Sequence, residues 1–93
     1  MPKYTKNPFQ YEELQITEET SVAEAKVFLG VDDLTITVEE AGVHLLSLDT
    51  NPPYPGEWVV PSGQFLRTQP YNAIQQTNIP LAEDPDYSPV PNS

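Results

Sequence analysis

One segment of the chain has the apolar spacing of a helix, whereas the other apolar residues alternate as they do in strands. In residues 18–30, four apolar residues recur at intervals of three and four and so share one helical face: Val22, Ala25, Phe28 and Leu29. Ser21 followed by Glu24 is a capping box, and Gly30 suits the left-handed position after a helix. A helix this short needs a sheet to pack on.

Alternating apolar residues predict five strands, over residues 9–17, 34–38, 43–48, 58–60 and 64–67. The first strand changes phase near Glu12 and Glu13, which indicates a bulge. The other four predict two hairpins, with turns at residues 39–42 and 61–63, and residues 70–76 predict one helical turn. The sequence therefore predicts an α+β fold, in which one helix packs on a small, mainly antiparallel, curled sheet.

The same patterns predict which residues are buried and where the compact domain ends. The predicted core is Val22, Ala25, Phe28, Leu29, Leu34, Ile36, Val38, Leu45, Trp58, Val60 and Phe65. Residues 1–77 are predicted to form one compact domain. Residues 78–93 have no apolar period and are rich in proline and acidic residues, so we expect a disordered tail there.

The charge and composition limit the classes of partner. The net charge is −10, from 14 acidic and four basic residues, which disfavours direct binding to nucleic acid or to an anionic membrane and favours basic protein surfaces. No cysteine is present, so disulfides and thiolate metal sites are excluded. The chain has no apolar run long enough to span a membrane. We expect no signal peptide, and a soluble intracellular protein that forming a homo-oligomer would help to stabilise.

Few residues point to catalysis. His44 is the only histidine, which excludes metal sites built on two histidines, and strand alternation turns it away from Val43 and Leu45. No nucleophile-elbow motif accompanies it. We expect no cofactor, no metal and no enzymatic activity.

Adjacent acidic pairs recur along the chain, at Glu12-Glu13, Glu18-Glu19, Asp32-Asp33 and Glu39-Glu40. Paired carboxylates serve glycoside hydrolysis and hard cations, but neighbours on a strand point to opposite faces. Solvated turns and a distributed negative face that imitates a phosphate row are the two remaining interpretations. Tyr54 lies in a proline-rich loop that suits a contact patch. The candidate partner-binding residues are Glu12, Glu13, Asp32, Asp33, Glu39, Glu40 and Tyr54.

Three motifs carry a resemblance to a known family. Residues 3–8 read Lys-Tyr-Thr-Lys-Asn-Pro, residues 56–60 read Gly-Glu-Trp-Val-Val, and residues 63–65 read Gly-Gln-Phe. In this order the chain resembles a family of small bacteriophage-encoded proteins whose activity is unassigned. The family's Pro-Cys-Lys segment after the last motif is replaced here by Arg67-Thr68-Gln69, so no role of that thiol or lysine carries over.

The resemblance implies a phage protein that acts in the cytoplasm of the infected bacterial host. The first hypothesis is a non-enzymatic protein that binds a host protein with a basic surface, such as a defence or nucleic-acid-processing factor, and inhibits or redirects it. The alternative is a virion or assembly accessory that is tethered through its tail. A binder of a small nucleotide signal is a third, for which four basic residues make a poor phosphate pocket.

Overall fold

A computed structural model describes residues 3–6, 9–49, 56–69 and 73–89. These residues form nine short strands, one α-helix and one 3-10 helical turn. In chain order they are β1 (Tyr4–Lys6), β2 (Phe9–Tyr11), β3 (Glu13–Gln15), α1 (Val22–Leu29), β4 (Thr35–Glu39), β5 (Gly42–Leu46), β6 (Glu57–Val60), β7 (Phe65–Gln69), β8 (Ala73–Thr77), the 3-10 turn (Leu81–Glu83) and β9 (Ser88–Pro89).

The strands form three small antiparallel sheets. The first sheet has the order β2-β1-β9, the second β3-β7-β8 and the third β4-β5-β6. The predicted α+β fold, with one helix on a curled antiparallel sheet, is confirmed. None of the helices in the described ranges is long and apolar enough to cross a membrane.

The predicted bulge near Glu12 is the point at which the chain changes sheets. β2 ends at Tyr11 and pairs with β1, whereas β3 begins at Glu13 and pairs with β7. Between them, the Glu12 amide donates to the Thr68 hydroxyl at 2.8 Å, and the Thr68 amide donates to the Glu12 carbonyl at 2.9 Å. Because these bonds satisfy the backbone at the break, the sheet curls there without leaving polar groups unpaired.

The helix has the predicted caps. The Ser21 hydroxyl accepts a hydrogen bond from the Glu24 amide at 3.0 Å, and Gly30 ends the helix with a φ of 71°. Positive φ carries little penalty for glycine, which lets the Gly30 amide donate back to the Lys26 carbonyl at 2.8 Å. Ala25 is fully buried. The helix therefore begins and ends where local chemistry predicts.

One core joins the helix to the second and third sheets. Its buried members are Leu14, Ile16, Ala25, Leu29, Val31, Leu34, Val43, Leu45, Trp58, Val60 and Leu66. The core prediction was wrong for Val22 and Val38, which are 39% and 55% exposed, and Phe65 is half-buried. Val38 is exposed because β4 is an edge strand with a neighbour on one side only, among the described strands.

The predicted second hairpin does not form. β6 pairs with β5, whereas β7 pairs with β3 and β8, so the turn at residues 61–63 carries the chain from the third sheet into the second. After the turn, the Gly63 amide donates to the Ile16 carbonyl and the Ile16 amide donates to the Gln64 carbonyl, both at 2.8 Å. The backbone of Ile16 thus takes the place that β6 would have filled.

Residues 73–77 also differ from their prediction. They form strand β8, in register with β7 from Gln69↔Ala73 to Phe65↔Thr77, and not the predicted helical turn. A free β7 edge offers a complete ladder of backbone bonds, which outweighs the weak helical preference of one turn. Residues 70–72, the start of that prediction, lie outside the described residues.

Residues 78–89 of the predicted disordered tail pack on the domain, whereas residues 90–93, the rest of that prediction, lie outside the described residues. Leu81 is 1% exposed, and its amide donates to the Glu13 carboxylate at 2.8 Å. Farther along, Ser88 and Pro89 pair with β1. Composition does not predict that such a segment packs on the domain, because one buried leucine and a few specific polar contacts are enough to hold it in place.

Arg67 is the main polar anchor of this segment. It is 3% exposed, and it donates from Nη1 to the Asp84 carboxylate at 3.0 Å and from Nη2 to the Ile79 carbonyl at 2.7 Å. The guanidinium carbon lies 4.8 Å from the centre of the Tyr87 ring, which meets the Tyr11 ring edge to face at 5.0 Å. The pKa of Asp84 is lowered, first by the hydrogen bond from the Asp86 amide and then by Arg67.

We expect a chain that ends at Thr77 to be much less stable than the full chain. The truncation removes the buried side chain of Leu81, whose loss alone costs about 2–5 kcal/mol by analogy with buried leucine-to-alanine changes. It also removes the two groups that the Arg67 guanidinium binds, the Asp84 carboxylate and the Ile79 carbonyl. Urea unfolding followed by circular dichroism measures the loss.

A chain that ends at Pro89 is the matched control, because it keeps every described contact of the segment. Its unfolding midpoint should stay close to that of the full chain. Equal midpoints for the two truncations would show that residues 78–89 do not stabilise the domain.

Candidate interaction surface

The acidic residues lie at the surface, whereas the one arginine does not. None of the 14 aspartates and glutamates is buried, and most are exposed. Of the four basic residues, Arg67 is buried against Asp84, which leaves Lys3, Lys6 and Lys26 to offset the remaining carboxylates. The described surface is therefore strongly negative. Arginine is the residue best suited to bind a phosphate, and the one arginine is not exposed on this surface.

A histidine between two glutamates occupies the outer face of the third sheet. His44 Nε2 lies 2.7 Å from a carboxylate oxygen of Glu57, and Nδ1 lies 3.2 Å from one of Glu39. The side chains are 21%, 58% and 44% exposed, in the order His44, Glu57 and Glu39. His44 points away from the core on β5, as strand alternation predicts.

These contacts favour the charged imidazole. A neutral imidazole carries one N–H and can donate to one carboxylate, whereas the imidazolium donates to both. The pKa of His44 is accordingly raised from 6.5, and its largest cause is the hydrogen bond with Glu57. Partial burial opposes the rise in pKa, and Glu39 adds to it by charge and by its own hydrogen bond.

The cluster makes a poor catalytic or metal site. Both ring nitrogens face carboxylates, so neither is directed at a hydroxyl nucleophile. Among the described residues, no group of three or more histidine, cysteine and acidic side chains has the arrangement to hold a metal ion. What the cluster does provide is a surface whose charge depends on the protonation of His44, the pKa of which is raised from 6.5.

Two of the predicted acidic pairs flank strand β4. Asp32 and Asp33 precede it, Glu39 is its last residue, and Glu40 follows at the tip of the β4–β5 hairpin. All four are exposed. The Asp33 carboxylate accepts the Leu48 amide at 3.1 Å, which fixes one end of the strand to the chain that leaves β5.

The pair Glu12-Glu13 lies elsewhere, where the chain passes from the first sheet to the second. The Glu13 carboxylate accepts the Leu81 amide and so has a structural role. Both residues are half-buried. The structure therefore brings four of the predicted acidic residues onto the third sheet and places these two on another part of the fold. Tyr54, the remaining candidate, lies outside the described residues.

The sequence interpretation missed two features of the surface. One is the buried Arg67, for which the signal was a single basic residue inside a strand, directly after Leu66. The other is the exposed edge of β4, which carries Val38.

An open depression of about 560 Å³ lies beside the end of α1. It is lined by Ala23, Lys26, Val27, Gly30, Val31 and Asp32, and no cluster of catalytic groups faces it.

We expect His44 to titrate above pH 6.5 in the folded protein. Glu57→Gln should lower its pKa more than Glu39→Gln does, because the contact with Glu57 is shorter and is the larger cause of the shift. Nuclear magnetic resonance of the ring protons against pH measures each pKa. Equal effects of the two substitutions, or an ordinary pKa in the unsubstituted protein, would contradict this geometry.

The raised pKa of His44 determines whether the fold gains or loses stability as the pH rises. Pairing of the imidazolium stabilises the fold below pH 6.5, and this contribution is lost as the pH rises through the folded-state pKa. His44→Gln should therefore reduce the difference in urea midpoint between a pH below 6.5 and the alkaline end of a pH series. A difference of unchanged size would exclude the cluster as its source.

No protein-family model, curated protein or solved structure matches this chain. The function is therefore argued from the charge and geometry of the described residues.

Proposed function

We propose that this chain is a phage-encoded, non-enzymatic interaction protein that binds a host protein with a basic surface and inhibits or redirects it. The observation that carries the proposal is the burial of Arg67 beneath a surface on which none of the 14 acidic residues is buried. A net charge of −10 displayed in this way attracts positively charged surfaces and repels nucleic acid.

The third sheet is the strongest part of this surface. Its hairpin carries Glu39 and Glu40, its outer face carries Glu57, and Asp32 and Asp33 precede its first strand. Carboxylates spread along a strand present repeated negative charge, as a phosphate backbone does. A host defence or nucleic-acid-processing factor with a basic groove is the class of target that such a surface suits.

The state of His44 supports binding over catalysis. The ring is held between Glu39 and Glu57, so each of its two nitrogens already has a carboxylate partner. A steric inhibitor needs no activated group and acts at a stoichiometric ratio. The cytoplasm of the infected host is the compartment in which this action would take place.

The virion-accessory alternative has less support. A tether needs a free segment, whereas residues 78–89 pack on the domain through Leu81 and Arg67. The phage origin itself rests on the three sequence motifs. The interaction protein is therefore the better supported of the two hypotheses.

The proposal predicts that a host protein with a basic surface is recovered by the purified chain from host lysate, and that added salt slows its association. Glu39→Gln combined with Glu40→Gln should lower the on-rate about two- to fivefold at low salt, since exposed charges steer association. Surface plasmon resonance with the recovered protein measures the rate.

Glu18→Gln combined with Glu19→Gln is the matched control, because it removes the same charge from a site before α1. Equal slowing by both double variants would show general charge attraction with no preferred surface. Recovery of the chain in purified virions at fixed copy number, with no host protein bound, would overturn the proposal.

A further inference from the structure

Strand β4 has an unoccupied edge among the described strands, because it ends the order β4-β5-β6. One backbone contact shows which residues of β5 direct their amide and carbonyl groups at β6 and which direct them at β4. The Ser47 amide donates to the Gly56 carbonyl at 2.9 Å, which continues the β5–β6 ladder. Since backbone groups alternate sides along a strand, Val43 and Leu45 also direct theirs at β6, and His44 and Leu46 direct theirs at β4.

The same alternation determines which groups of β4 face outward. Thr37 lies opposite His44 and Thr35 opposite Leu46, so these threonines hold the bonds to β5. The amide and carbonyl groups of Ile36 and Val38 therefore point away from the sheet. Two amides and two carbonyls at alternate positions are the pattern to which an added strand binds.

The side chains beside this edge also suit an added strand. Ile36 packs against the core, whereas Val38, on the same face of the sheet, is 55% exposed. A strand that extends the sheet would cover Val38. Thr35 and Thr37 are exposed on the opposite face, and threonine favours strand pairing.

The negative charge at the two ends of β4 determines which kind of strand can pair with its free edge. Asp32 and Asp33 precede the strand and Glu39 and Glu40 lie at its other end, all exposed, and a five-residue strand spans about 17 Å. A second copy of the chain would bring these carboxylates near their counterparts in either strand direction, and like charges oppose pairing. A segment with basic residues at its ends has the complementary charge.

The other edge of the third sheet lacks this arrangement. β6 has four residues, Pro61 follows it without an amide donor, and Glu57 is its one acidic residue. Its exposed Val59, at 40%, also directs its amide outward, because it lies opposite His44 in the register. The two edges are thus similar in backbone geometry and different in charge.

We propose that β4 is a docking edge, at which an extended basic segment of the partner protein adds to the third sheet as a further strand. This inference rests on the proposed function and names the form in which the basic partner binds. Backbone bonds to Ile36 and Val38 supply the pairing, and the acidic pairs supply the preference for basic sequences.

The test uses the full-length chain and a short synthetic peptide in which lysine alternates with valine or threonine. Val38→Pro removes an outward amide and places a ring on the docking edge, while the bonds from Thr37 to β5 remain. Val59→Pro does the same at the β6 edge and is the matched control. Circular dichroism checks that both variants are folded.

We expect Val38→Pro to weaken peptide binding by about tenfold or more, as measured by calorimetry, because a blocked edge loses several backbone hydrogen bonds. Val59→Pro should change the binding by less than about twofold. A second peptide, with proline at alternate positions and the same charge, should bind far more weakly than the first.

Amide exchange gives a measurement that does not depend on the variants. In the unsubstituted protein, the peptide should slow exchange at Ile36 and Val38, whereas the amide of Thr37 is protected before it is added. Protection at Val59 in place of Val38 would assign the site to β6 and overturn the inference.

Two outcomes separate this inference from the proposed function. If both peptides bind equally and Val38→Pro has no effect, the proposal of a basic partner is retained and the proposal of strand pairing at β4 is wrong. If neither peptide binds at low salt and no basic host protein is recovered, the proposed function and the strand-pairing inference are both wrong. Dimerisation of the chain that Val38→Pro abolishes would instead assign the edge to a second copy and overturn the inference.

Discussion

The burial of Arg67 is the interaction on which much of this structure depends. In β7, the side chain binds the Asp84 carboxylate and the Ile79 carbonyl, and so holds the C-terminal segment against the second sheet. A buried guanidinium is tolerated only when it is paired, which makes the segment a necessary part of the fold. The same burial removes a positive charge from the surface. One residue thus contributes both to the closure of the domain and to the negative field that a partner would meet.

Features set by neighbouring residues were predictable from the sequence, whereas partners distant in the chain were not. The capping of α1 by Ser21 and Gly30 depends on a few adjacent residues, and it was predicted correctly. The partner of β7 depends on Ile16 and β3, about 50 residues away, and short-range patterns contain no information on that choice. Val38 illustrates the same limit, because its alternation is that of a core residue and its exposure follows from an edge position.

The candidate surface was predicted in part for the same reason. The acidic pairs were evident, but the grouping of two of them on the third sheet depends on β4, which has one pair at each end. His44 was correctly turned outward, yet its contact with Glu57 joins strands that are linked through residues outside the described ranges. Charge was therefore predictable from composition, and its placement required the fold.

The pairing of β1 with β9 has a consequence for synthesis in the cell. Tyr4 lies opposite Pro89, so β1 has one of its partners about 85 residues later in the sequence. A ribosome releases β1 long before β9 has been made, and the first sheet can be completed only when residues 88–89 have left the exit tunnel. The first sheet is consequently expected to be completed last, after the strands of the other two sheets have been synthesised.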